Sequence, residues 1–254
     1  MKIRNHVSSL AALACLTVLG ATLAARAHTP VHPKSVLFAS GAAQMSSPST
    51  LAEDKGKFRV VVGGAPAGQE QFSIAPNGAN WMARGNAEVQ PANAPATRVT
   101  GALTLKSDGT PVKYEWSTQG AKKSSATVDF AGGVATIELR MEGQKPFTQQ
   151  FFFPSARILV LDNNLFYQYA VAARVYDWQK KGEQDFAVLV PQTMTPGTVK
   201  LQSMGPQAVD GKQMEMLRVK TEDLEVDLYL ENLRLMRIAV PASNAEVIRE
   251  SSQS

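Results

Sequence analysis

From Phe58 onward, apolar and polar residues alternate with a period of two, and turn residues break the alternation at short intervals. Successive side chains of a strand point to opposite faces, so this pattern folds as antiparallel sheet with one buried and one wet face. Strands are expected over 57–62, 69–74, 80–89, 98–105, 112–118, 124–130 and 134–142, then over 185–190, 197–203, 213–220, 224–230 and 235–240, with a short last strand in ASNAEVIRE. The clearest is LEVDLYL, where Leu224, Val226, Leu228 and Leu230 face in and Glu225, Asp227 and Tyr229 face out. GGAPAG, SDGT and AGG supply turns, and GGAPAG has no helix after it, so it reads as a hairpin and not as a phosphate loop. No repeat at a fixed period is detected.

One segment departs from the alternation. LVLDNNLFYQYAVAARVYDWQKKG carries capping types at its start (Asp162, Asn163, Asn164) and Lys180, Lys181 and Gly182 at its end, which predicts a helix over about 162–181. Its apolar residues fall on nearly every side: Leu165, Tyr169, Ala172 and Tyr176 on one face, Phe166, Ala170 and Ala173 on the next. Such a helix is buried on most sides. With only strands around it, the concave side of a curved sheet is its expected seat, with Asp162 as N-cap.

The start of the chain reads differently. Residues 1–27 combine Lys2 and Arg4, an apolar run and an Ala25-Arg26-Ala27 end, the pattern of a cleavable secretion signal. A retained membrane anchor is the rival, because the run approaches the ~20 residues that span a bilayer. Ser8, Ser9, Thr17, Gly20 and Thr22 dilute it. Ala14-Cys15 has the look of a lipidation site, but Ala12 and the continuing apolar run place Cys15 inside the signal. The expected location is periplasmic or secreted after cleavage near Ala27. Residues 28–56, rich in Ser, Ala and Pro, read as a flexible arm in which Val36-Leu37-Phe38 is the one apolar cluster, and 251–254 as a polar tail. What lies between, 57–250, is expected to be a single β-rich domain.

Cleavage also resets the charge. The net +4 includes Lys2, Arg4 and Arg26; without them 23 of the 26 basic residues remain against 22 acidic ones. A near-neutral chain has no strong basic footprint for nucleic acid. The lone Cys15 leaves with the signal, so the core holds the domain without disulfides.

The histidines restrict the chemistry. His6 lies in the signal, leaving His28 and His32 in the arm, so the domain has no Ser-His-Asp triad, Cys-His pair or His-rich zinc site. An amino-terminal His28 chelates copper in some proteins, but HTPVHP places no second ligand rigidly. No metal or cofactor is expected. Carboxylate chemistry is left to Asp162, Asp177, Glu183 and Asp185 near the helix ends, which are read more simply as cap and turn residues. Glu222, Asp223, Glu225 and Asp227 suggest calcium only if the alternation is ignored.

The strand succession, with LDNNLFYQYAVAARVYDW, FAVLVPQ and LYLENLRLMRIAVP, resembles the incomplete-barrel periplasmic lipoprotein carriers and related uncharacterised bacterial envelope proteins over roughly 58–250. The resemblance implies a curved antiparallel sheet, open or an incomplete barrel, with one long helix on its concave face. It also implies an apolar cavity between them. The functional expectation is a non-enzymatic protein that binds an acyl chain, another apolar ligand or a lipidated partner there, with peripheral membrane contact. Met141, Phe151, Phe153, Tyr169, Tyr176, Met216 and Met236 are the candidate lining. The alternatives are an envelope interaction protein without a cavity, binding by strand addition, and a hydrolase working through carboxylates such as Asp177 and Glu183.

Overall fold

The computed structural model describes residues 49–90, 95–120 and 123–251. The expected signal, residues 28–48 of the arm with His28, His32 and the Val36-Leu37-Phe38 cluster, and residues 252–254 lie outside the described residues.

Fifteen strands form one sheet. The first half comprises β1 (Asp54–Val62), β2 (Ala65–Asn77), β3 (Asn80–Val89), β4 (Thr97–Leu105), β5 (Pro111–Gln119), β6 (Ser124–Ala131), β7 (Val134–Met141) and β8 (Phe147–Phe152). After β9 (Ile158–Val160) and the helix α1 (Tyr167–Val175) come β10 (Glu183–Val190), β11 (Thr195–Val209), β12 (Lys212–Lys220), β13 (Glu225–Glu231), β14 (Arg234–Val240) and β15 (Ala245–Arg249). Each strand is antiparallel to its neighbours except that β9 runs parallel to β10.

The order in space is β8 through β1, then β15 back through β9. The first strand, β1, thus lies mid-sheet; the strands wind out to β8, pass to the opposite edge at β9 and wind back to pair β15 with β1. The two edges do not join. Instead β9 packs against β5, and Asp162 just after β9 bonds to Tyr114 of β5, so one end of the sheet tucks inside the curl while β8 has no second strand partner among the described residues. The expected curved, non-closed antiparallel sheet with a buried helix is the architecture observed.

A buried ion pair closes the β1–β15 junction. The Arg249 guanidinium donates from Nη2 to Asp54 Oδ1 at 2.6 Å and from Nη1 to Oδ2 at 3.1 Å, and sits 5.2 Å above the Phe72 ring, which stacks on Phe58 at 4.7 Å. This fork geometry is the strong form of an Arg–carboxylate contact.

Three expectations are corrected. The arm ends well before 56: Leu51 is buried, the Thr50 N–H donates to the Ser107 carbonyl at 3.0 Å, and β1 begins at Asp54. Two strands, β8 and β9, lie where the alternation predicts none. In β8, FTQQFF puts phenylalanines on both faces, and in β9, ILV is buried throughout, so neither alternates. Finally, α1 is nine residues long and not five turns. Asn164 adopts φ +61°, which no helix admits, and Tyr176 turns extended with ψ 132°. Beyond it the Asp177 carboxylate accepts the N–H groups of Gln179 and Lys180 at 3.0 Å, making DWQKKG a side-chain-braced turn.

Candidate functional site

The helix is seated by glycines of the sheet. Gly85 of β3 and Gly101 of β4 are register partners. A Cβ on Gly85 would lie 2.4 Å from Tyr167 Cδ1 and from Glu70 Oε1, and one on Gly101 would lie 2.6 Å from Leu165 Cδ1. Only a residue without a side chain lets Leu165 and Tyr167 sink this far. All helix residues except Arg174 are buried, so α1 serves as core and not as the lid of an open chamber.

Under the helix lies a polar cluster. Glu70 Oε2 accepts the N–H groups of Phe166 (3.0 Å) and Tyr167 (2.9 Å), so the cap of α1 is a carboxyl from β2. Helix N-termini favour acceptors of this kind. Burial nevertheless pushes the Glu70 carboxyl well above its ordinary range, with the two N–H donors offsetting part of the rise. Asp162, expected to cap the helix, is turned elsewhere. Its Oδ2 accepts the Tyr114 hydroxyl at 3.0 Å, and its Oδ1 accepts the N–H groups of Gln192 (2.9 Å) and Asn163 (3.3 Å). Its own N–H donates to Gln168 Oε1 at 2.5 Å. Burial raises its carboxyl from 3.8 to about 7 against those hydrogen bonds. Burial also raises the Tyr114 and Tyr167 hydroxyls, and the Asp162 charge adds to both. The cluster ties β2, β5, the post-β9 segment, α1 and the β10–β11 connection together. Its groups are enclosed, so it acts as a polar keystone.

The C-terminal end of α1 is completed by side chains. Trp178 Nε1 donates to the Ala173 carbonyl at 2.9 Å and Arg157 Nη2 to that of Val175 at 3.1 Å.

The seven candidate lining residues do not surround one space. Phe151, Tyr169 and Tyr176 belong to the common core, and Phe153 packs partly against it. Burial lifts the Tyr169 hydroxyl to about 12. The Tyr176 hydroxyl donates to the Gly182 carbonyl (2.7 Å) and accepts the Ser203 N–H (3.1 Å), a bracing role. Met216 is buried outside that core and Met236 is half-buried on β14, whereas Met141 is 37% exposed at the end of β7. Among the carboxylates, Asp177 braces its turn and Glu183 pairs with Lys200. Asp227 is buried on the outer side and held by Arg218, with Nε to Oδ1 at 2.8 Å. Among the described residues no group of His, Cys, Asp or Glu is placed to hold a metal, and no helix is long and apolar enough to cross a membrane.

The accessible features lie elsewhere. Concavities of about 840 Å³ and about 370 Å³ open on the outer face of β1–β5. At the free end of the sheet, Phe152 is 76% exposed and Phe147 47%. Phe147 shares the inner face with Leu139, its register partner, and Met141, while Phe152 points outward. The sequence signal for this edge was FTQQFF itself, whose outward phenylalanine has no role in a core.

Comparison with solved structures finds a similar fold. A crystal structure of a beta-barrel-like protein of a domain of unknown function, DUF1849, from Brucella abortus aligns over 80% of this chain and 96% of its own, with TM-score 0.55 and 7% identity. A DUF1089 family protein from Pseudomonas aeruginosa aligns over 81% of this chain and 97% of its own, with TM-score 0.44 and 8% identity. No family model and no curated protein matches the chain. The chain therefore has a β-barrel-like, β-rich fold, the broader part of the resemblance read from the sequence.

Proposed function

We propose that the protein is an exported, non-enzymatic interaction protein that takes up an extended segment of a partner along β8. The observation that carries this reading is the β8 edge. Among the described residues β8 pairs with β7 alone, and its apolar side chains stand on both faces, Phe147 inside and Phe152 outside. A strand edge presents unpaired N–H and C=O groups, and natural proteins usually blunt it with charge, proline or cover. FTQQFF contains neither charge nor proline, and among the described residues no further strand pairs with it. An added strand with apolar side chains on both faces would cover Phe147 and Phe152 together.

A photo-reactive residue placed at Phe152 in the host cell tests it. A discrete partner adduct is expected, lost when Gln150→Pro spoils the edge. No adduct, or the same adduct from a distant site such as Lys212 on β12, would overturn it.

A second reading, an apolar ligand or lipidated partner held against the inner face, is favoured by the exposure of Met141 and Phe147 at that end. Native mass spectrometry of protein from its own host separates the two. A bound lipid mass removed by Met141→Ser supports the second reading, and a ligand-free mass leaves the first.

A further inference from the structure

The glycines that receive the helix also shape the opposite face of the sheet. Register aligns Gly56, Phe72, Gly85, Gly101 and Trp116 across β1–β5 as one inward-pointing row. On either side, the outward residues form two rows: Lys55, Ser73, Arg84, Ala102 and Glu115, then Lys57, Gln71, Asn86, Thr100 and Ser117. Between them the outer face is dished into the concavity of about 840 Å³, which shares Gln71 and Asn86 with the neighbouring one of about 370 Å³. Together they make a trough that continues to Gln69, Glu88 and Arg98.

We infer that this trough binds a carboxylate-bearing oligosaccharide. Its volume is that of a ligand site. Side chains stand ~4.8 Å apart across the strands and ~6.8 Å apart along them, and the central ones are amides and hydroxyls, which both donate and accept as sugar hydroxyls require. Charge selects an acidic sugar over a neutral one. Lys57 is engaged by Glu250, Arg98 by Glu88 and Glu115 by Lys113. Among the described residues, Lys55 and Arg84 enter no ion pair, and Arg84 stands exposed beside Asn86 and offers a planar fork that matches a carboxylate.

The alternatives fit less well. An acidic peptide needs main-chain partners or apolar subsites, but the backbone groups of these inner strands are spent in the ladder, and the only aliphatic side chain among the outward rows is that of Ala102. Single-stranded nucleic acid needs aromatic faces to stack on, and the aromatics of this region, Phe72 and Trp116, point inward and are buried.

Calorimetric titration of the purified protein with a galacturonate hexamer, with cellohexaose and hexaglutamate as comparisons, tests the inference. The galacturonate is expected to bind, with each comparison ligand weaker by about ten-fold or more. Arg84→Gln and Asn86→Leu are each expected to weaken it by about ten-fold, while Lys212→Gln on β12 leaves it unchanged. Absence of heat up to ~5 mM, equal binding of either comparison ligand, or an unaffected Arg84→Gln variant would overturn it. Arg84 is exposed, so that variant keeps the fold, and unchanged thermal unfolding verifies this.

Discussion

Glu70 and Tyr167 lie 97 residues apart in the chain, yet Glu70 Oε2 accepts the Tyr167 N–H at 2.9 Å and thereby fixes the first turn of α1 to β2. The helix is too short to be stable alone. Its position is set by this carboxyl from the sheet and by the glycine seat beneath Tyr167.

Removing the acceptor should loosen the helix. Glu70→Ala leaves the buried Tyr167 N–H and the part-buried Phe166 N–H unpaired and is expected to cost about 2–4 kcal/mol in urea unfolding. Glu70→Gln keeps an oxygen acceptor and should cost less than half as much. Equal losses in the two variants would mean that the carboxyl fills space and does not cap.

The raised carboxyls predict a particular pH dependence. A carboxyl raised in the folded state holds a proton that the unfolded chain releases, so its contribution to stability is highest below the unfolded value and is lost as pH rises toward the folded one. For Asp162 that window runs from 3.8 to about 7, corresponding to on the order of 4 kcal/mol at most. Glu70 acts in the same direction. Thermal unfolding should therefore occur at higher temperature at pH 5 than at pH 8, and Asp162→Asn should flatten the difference. A wild-type protein that gains stability between pH 5 and 8 would contradict the assignment.

The glycine seat is tested by adding one carbon. Gly85→Ala drives a Cβ to 2.4 Å from Tyr167 and Glu70, and overpacking of this kind costs about 1–3 kcal/mol or more. Gly197→Ala meets only Val188 at 3.5 Å and is expected to be near neutral. Comparison of the two urea midpoints decides whether close approach, and not glycine as such, matters.

The Asp54–Arg249 pair holds the junction where the two windings of the sheet meet. Asp54→Ala leaves a buried guanidinium without its partner and is expected to cost about 3–5 kcal/mol. The paired change Asp54→Leu with Arg249→Met should recover much of that loss, measured by the same unfolding midpoints.

The alternating strands were legible because each has one wet face: in β13, Val226, Leu228 and Leu230 are inward and buried as the pattern requires. β9 was not legible, since three residues buried throughout carry no alternation. The helix was found but overextended. Asp162, Lys180 and Lys181 have the chemistry of helix ends, yet tertiary contacts claim Asp162 for Tyr114 and Gln192, and Asp177 claims the turn that follows. Glu70 was invisible because its partner is distant in sequence, and within β2 it sits between outward glutamines at an inward position that only the strand's register identifies. One local signal went unread: VPQTM and VPASN both form a single 3-10 turn ending in a left-handed residue, Met194 and Asn244, between adjacent strands. The outer trough needed the register of five strands, which no single segment carries.

Amide exchange on the complex recovered through the Phe152 adduct tests the proposed binding edge most directly. If the partner strand adds to the sheet, the amides of β8 slow by at least about ten-fold relative to the free protein, while those of β9 and β15 are unchanged. Protection confined to the inner face around Met141 or to the outer trough, with β8 exchanging as in the free protein, would contradict it.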